Sequence, residues 1–126
     1  MTAITADPEI KTIVAPIETL KPMKLSEAMR LGSISTAQAH GAWSAPGDNP
    51  EDAPKMCAMS TAWYALTGHD GNDASGSALE DLLSKHNVNH PIGGRSTTVR
   101  AAIIDLNDLH KWTRLQIADW LAERGL

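Results

Sequence analysis

A chain of 126 residues with 42% apolar content has the size of one ordinary domain and enough apolar side chains for a core. Its formal charge of −4 argues against a non-specific nucleic-acid binder, which needs a basic face to release counterions. The single cysteine, Cys57, excludes an intrachain disulfide, and no apolar run of about 18 residues marks a membrane span. Residues 1–30 lack a basic stretch followed by an apolar one, so no secretory signal is expected and the cytoplasm is the expected compartment.

The chain divides into an arm, residues 1–22, and a helical domain, residues 23–126. Pro8, Pro16 and Pro22 interrupt the arm too often for a long helix. Ile10, Thr12, Ile13, Val14 and Ile17 are β-formers, so an extended segment is expected. In KLSEAMRLG, Leu25, Ala28, Met29 and Leu31 predict a short helix with Gly32 as its stop. SISTAQAHGAWS reads as either a turn or an irregular strand, and residues 44–54, rich in Pro and acids, read as a loop.

KMCAMSTAWYALTG predicts a helix ended by Gly68. Met56, Met59, Trp63 and Leu66 form its inner stripe, with Cys57, Ala58, Thr61, Ala62 and Ala65 as a small-residue flank. HDGNDASG is a polar turn. Ser77 and Glu80 have the spacing of a capping box, and Leu79, Leu82, Leu83 and His86 face inward behind it. NVNHPIGGRS reads as a second loop. Val99, Ala102, Ile103 and Leu106 then mark an amphipathic helix.

The closing segment has the fullest local signals. Thr113 is an N-cap with Gln116 at the third helical position. Trp112 and Ile117 have the spacing of a hydrophobic staple, and Ile117, Ala118, Trp120 and Leu121 point inward. TRLQIADWLAERG looks like the first helix of a helix-turn-helix. That motif needs a following recognition helix, and none follows in the sequence up to Leu126. The expectation is a helical hairpin with Trp112 at its corner.

Trp43, the Cys57-Ala58 pair, Gly68, Leu82, Ile103, the Asn107-Asp108 pair, Thr113 and Ile117 form a spaced pattern. It resembles small uncharacterised bacterial and phage proteins known only as domains of unknown function. The likeness covers residues 24–124 and leaves the arm outside. It implies no assigned activity. It does imply a phage or prophage setting, and then the host cytoplasm.

Candidate chemistry is sparse. Asn107 and Asp108 are read as turn residues, Asn107 capping the end of its helix and Asp108 bonding the turn toward Thr113. His86, His90, His69 and His110 with Cys57 could assemble a zinc site only against the grain of the sequence. Asn87, Val88, Asn89 and Pro91 break the helix that would present the first pair, and there is no second cysteine. No metal or cofactor is therefore expected, and these histidines are read as solvent-facing, with His86 half-buried. Cys57 lacks the local signature of a nucleophile and is read as a small core residue. Residues 70–81 have the length of a calcium loop but not its Gly or its closing Glu. Gly93-Gly94 before RSTT lacks the preceding strand of a phosphate loop, so the hydroxyls are read as helix caps.

The fold expected is mainly α. It is a single small domain of four or five short helices with an extended N-terminal arm, with room for a short β-pairing from the arm or from residues 33–43. The core expected comprises Leu25, Met29, Trp43, Met59, Trp63, Leu66, Leu79, Leu82, Leu83, Val99, Ile103, Leu106, Ile117, Trp120 and Leu121. The leading function is a non-enzymatic interaction or assembly protein, binding a protein partner or itself through Ile10, Ile13, Val14, Ile17 and Trp43. One alternative is a nucleic-acid accessory factor using Arg95, Arg100, Lys111 and Arg114, against which the acidic charge counts. The other is a small enzyme with Asp108 and His110 as an acid/base pair. No catalytic residue is assigned under the leading reading.

Overall fold

Apolar residues at helical spacing place the helices, and hydroxyl caps fix where the last two of them start. The structure, a computed structural model, describes residues 23–49, 51–68 and 77–126. In chain order it contains α1 (Leu25–Ser33), β1 (Ala37–Gln38), β2 (Ser44–Ala45), β3 (Lys55–Met56), α2 (Ala58–Thr67), α3 (Ser77–Leu83), β4 (Asn87–Asn89), β5 (Ser96–Thr98), α4 (Val99–Asp108) and α5 (Arg114–Glu123). The extended arm and the turn at 69–76 lie outside the described residues. Among the described residues no helix is long and apolar enough to cross a membrane.

α1 buries Leu25, Ala28 and Met29, and Glu27 reaches back to the Lys24 N–H at 2.8 Å. Gly32 does not stop this helix. It lies within α1 where α2 comes closest, and a Cβ there would sit 2.2 Å from the Thr61 carbonyl oxygen. The stop is made instead by the Thr36 hydroxyl, which donates to the Gly32 carbonyl at 2.8 Å. α5 runs antiparallel to α1. Ser26 Oγ donates to the Leu126 carbonyl at one end, Arg30 pairs with Asp119 midway, and Arg114 reaches Thr36 at the other.

β3 is the middle strand of a small sheet, parallel to β1 and antiparallel to β2. The pairing allowed for within residues 33–43 is thus β1. It pairs with β3, whose Lys55 and Met56 open the segment expected to be helical, and β3 pairs in turn with β2 at the start of the segment expected to be loop. α2 begins only at Ala58, with Cys57 as its N-cap, and ends at Gly68 in the left-handed region (φ 79°). β4 and β5 form an antiparallel hairpin where a loop was expected. Asn87, Asn89 and Ser96 are polar and exposed, and the one alternation, Asn87-Val88-Asn89, is only three residues long and too short to announce a strand. Gly93 and Gly94, both at positive φ, make the turn between them.

α4 is capped by Thr98, which accepts from the Ala101 N–H. α5 is capped by Thr113, and Gln116 returns the bond to the Thr113 N–H at 2.8 Å, which completes the expected capping box. The core unites these helices. Of the fifteen expected core residues, Trp43 and Leu82 are only half-buried, and the others are buried. The described residues therefore form five helices with two small sheets, in which helices supply most of the core.

Candidate functional site

Three constellations merit attention. In the first, at the end of α4, Asn107 is 1% exposed and makes four hydrogen bonds. Its Oδ1 accepts from Gln38 Nε2 at 2.9 Å and from the Ala58 N–H at 3.1 Å. Its Nδ2 donates to the Ala39 carbonyl at 2.8 Å and to Asp108 Oδ1 at 2.6 Å. Asp108 Oδ1 also accepts from the Gly41 N–H at 2.8 Å. Both residues are structural, as expected, but their partners differ. They do not serve their own turn. They join β1 and the residues after it to the Ala58 N–H that opens α2, where a helix leaves donors unsatisfied. Trp43 enters the same junction through its backbone: its carbonyl accepts from the Cys57 N–H at 3.0 Å and from the Ser60 hydroxyl. Trp43, Cys57, Ala58, Asn107 and Asp108 are thus one knot. Burial pushes the Cys57 thiol pKa up from its ordinary value, as suits a neutral cap rather than a nucleophile.

Arg114 is the second surprise. It is 7% exposed and donates to Thr36 Oγ1 (2.6 Å), the Thr36 carbonyl (2.7 Å) and Thr61 Oγ1 (3.0 Å). Burial lowers its pKa from the ordinary guanidinium value. It is not available to a phosphate backbone. Arg100 pairs with Glu80 at 3.0 Å with its side chain still 42% exposed, and Arg95 and Lys111 of the expected basic set are exposed as well.

The third constellation was not foreseen. His90 is not solvent-facing: it is 3% exposed, in the turn after β4. Its Nε2 lies 2.7 Å from Asp105 Oδ2, and its Nδ1 accepts from the Ile92 N–H at 3.0 Å. Nδ1 accepting from Ile92 fits the tautomer that carries its proton on Nε2, directed at Asp105. His110, 29% exposed at its side chain, brings its own Nε2 to 3.4 Å from the same Asp105 oxygen. The two rings meet edge to face with centroids 5.8 Å apart. His110 therefore faces Asp105, one turn back on α4, while Asp108 is engaged by Gly41 and Asn107. The Asp108–His110 acid/base pairing has no support in these contacts. His90 and Asp105 stand fifteen positions apart and are brought together by the hairpin and the first turns of α4, so the cluster was legible only once β4 and β5 were known.

The exposed surface carries an apolar groove of about 540 Å³ between the end of α1 and the end of α2. Leu31, Ile34, Tyr64 and Ala65 line it, with Leu31 50% and Ile34 82% exposed. The close Gly32–Thr61 crossing sets the spacing of its two walls. Of the interaction residues expected from sequence, Trp43 is half-buried against the core, and Ile10, Ile13, Val14 and Ile17 lie outside the described residues.

No family model, no curated protein and no solved structure matches this chain.

Proposed function

We propose that this protein is a non-enzymatic assembly protein that self-associates by seating the apolar arm segment of one copy, residues 10–17, in the α1–α2 groove of another. The carrying observation is the pair of large apolar side chains at the groove rim, Leu31 and Ile34, left largely in water. The sequence itself offers a matching occupant in Ile10, Ile13, Val14 and Ile17. The arm joins α1 at its far end from the groove. Pro22 stands in the sequence between that segment and α1, and proline in a linker favours reach to a neighbour over a tight return. An extended apolar segment in such a groove gains its affinity from alternate side chains entering pockets.

The resemblance to phage and bacterial proteins of unknown function remains part of this reading. The meeting of Trp43, Cys57, Ala58, Asn107 and Asp108 supports taking its spaced residues as a structural signature rather than as a catalytic one. The cytoplasm is the compartment we propose, on the strength of a lone buried cysteine. The test is Ile34→Glu in the full chain, followed by sedimentation velocity. Association should weaken at least about tenfold, since a charge replaces a buried apolar contact. Unchanged association with native circular dichroism would refute the reading.

A further inference from the structure

We infer that His90, Asp105 and His110 form a binding site for a divalent transition ion of the zinc class. Three side chains of the right type converge here from separate parts of the fold: the hairpin turn, α4 and the corner after it. One ligand atom from each lies within 4.8 Å of the others. Around a tetrahedral zinc, with metal–ligand bonds of about 2.0–2.2 Å, neighbouring ligand atoms stand about 3.3 Å apart. The His110 Nε2 to Asp105 Oδ2 separation is already 3.4 Å. The His90 Nε2 to Asp105 Oδ2 separation, 2.7 Å, is that of a hydrogen bond, and widens by about 0.6 Å when an ion takes the place of the shared proton. Two imidazoles and one carboxylate suit zinc, cobalt or iron better than calcium or magnesium, which prefer oxygen alone. Three protein ligands leave a fourth position for water.

The His90 tautomer makes the site a coupled one. Without metal, Nε2 carries the proton and Nδ1 accepts from Ile92. An ion needs the Nε2 lone pair. The proton leaves Nε2 and a proton is taken up at Nδ1, so the ring stays neutral and this residue releases no net proton. Nδ1–H can no longer accept from the Ile92 N–H, and the turn must turn that donor toward water. Ile92 is 41% exposed, and the next two residues are the positive-φ glycines 93 and 94, so the turn has room to yield. Ion binding is thereby linked to a change at Ile92, a residue that touches no metal.

The experiment is titration of the full chain with zinc sulfate by calorimetry, and with cobalt chloride by visible absorption. The amide spectrum is followed alongside. One ion per chain should bind, with cobalt bands of a low-coordinate nitrogen–oxygen site, and the Ile92 amide should shift among the largest. Asp105→Asn and His110→Ala should each weaken binding by at least about tenfold, the scale on which even outer partners of a metal matter. His40→Ala, at an exposed histidine outside the cluster, should bind as the parent does. If Asp105→Asn fails to fold, the partly exposed His110 still decides the question. No binding up to millimolar zinc, or binding indifferent to His110→Ala, overturns the proposal.

Discussion

Gly32→Ala sets two effects against each other. Alanine in a helix interior is favoured over glycine by about 1 kcal/mol. Here the new Cβ would stand 2.2 Å from the Thr61 carbonyl oxygen, 2.8 Å from Thr61 Cγ2 and 3.0 Å from the Thr61 carbonyl carbon. Ordinary contact needs about 1 Å more than the first of these. The obstacle is backbone of α2, so no rotamer change relieves it, and α1 must retreat from the core. Overpacking of this kind costs about 1–3 kcal/mol, and the backbone position puts this case at or above the top of that range. The net expectation is destabilisation by about 2 kcal/mol. At this chain length that is a drop of about 6–10 °C in melting temperature, measured by circular dichroism and checked by urea unfolding. Adding Thr61→Ser, which removes only Cγ2, should recover little of the loss. A Gly32→Ala variant as stable as the parent, or more so, would show that helix propensity rules at this position and that the close α1–α2 crossing is wrong.

Asn107→Ala strands the Ala58 N–H and the Ala39 carbonyl in the interior and should cost about 3–4 kcal/mol by urea unfolding; a cost under about 1 kcal/mol would mean that water replaces the amide. Arg114→Met should cost only about 1–3 kcal/mol, because the guanidinium bonds hydroxyls and a carbonyl and its removal strands no carboxylate in these contacts. A loss above about 4 kcal/mol would point to a charged partner for it. Cys57 has a pKa raised by burial in the fold, so the stability it contributes is complete below its unfolded value near 9.0 and is lost as pH rises through and above it. Cys57→Ser should flatten the alkaline side of the stability profile, and alkylation of the native thiol at pH 8 should be far slower than in denaturant.

Local signals made much of the fold readable. The Thr113–Gln116 box, the Gly68 stop and the apolar stripe of α4 act over three to four residues, and each formed as its sequence implied. What escaped were choices settled by distant neighbours. Gly32 reads as a stop in isolation but serves a crossing with Thr61, twenty-nine positions away. Met56 fits the helical stripe of its segment, yet pairing with Gln38 and Ser44 holds it in a strand. Arg114 looks like a surface cation because arginine usually is one, and only Thr36 and Thr61 explain its burial. The His90–Asp105–His110 cluster depended on a hairpin whose three-residue, mostly polar strands are too short to show a pattern. The groove was not legible, since Leu31 sits in the sequence as any helical leucine would and only the structure shows it half exposed.

Assembly through the arm is tested most directly by the light-scattering mass of the full chain beside a chain lacking residues 1–22, over a range of concentrations. The account predicts an oligomer for the full chain and a folded monomer for the shortened one, with association restored in part by adding a peptide of residues 8–20 fused to a dimer. Equal masses for the two chains at every concentration would contradict it.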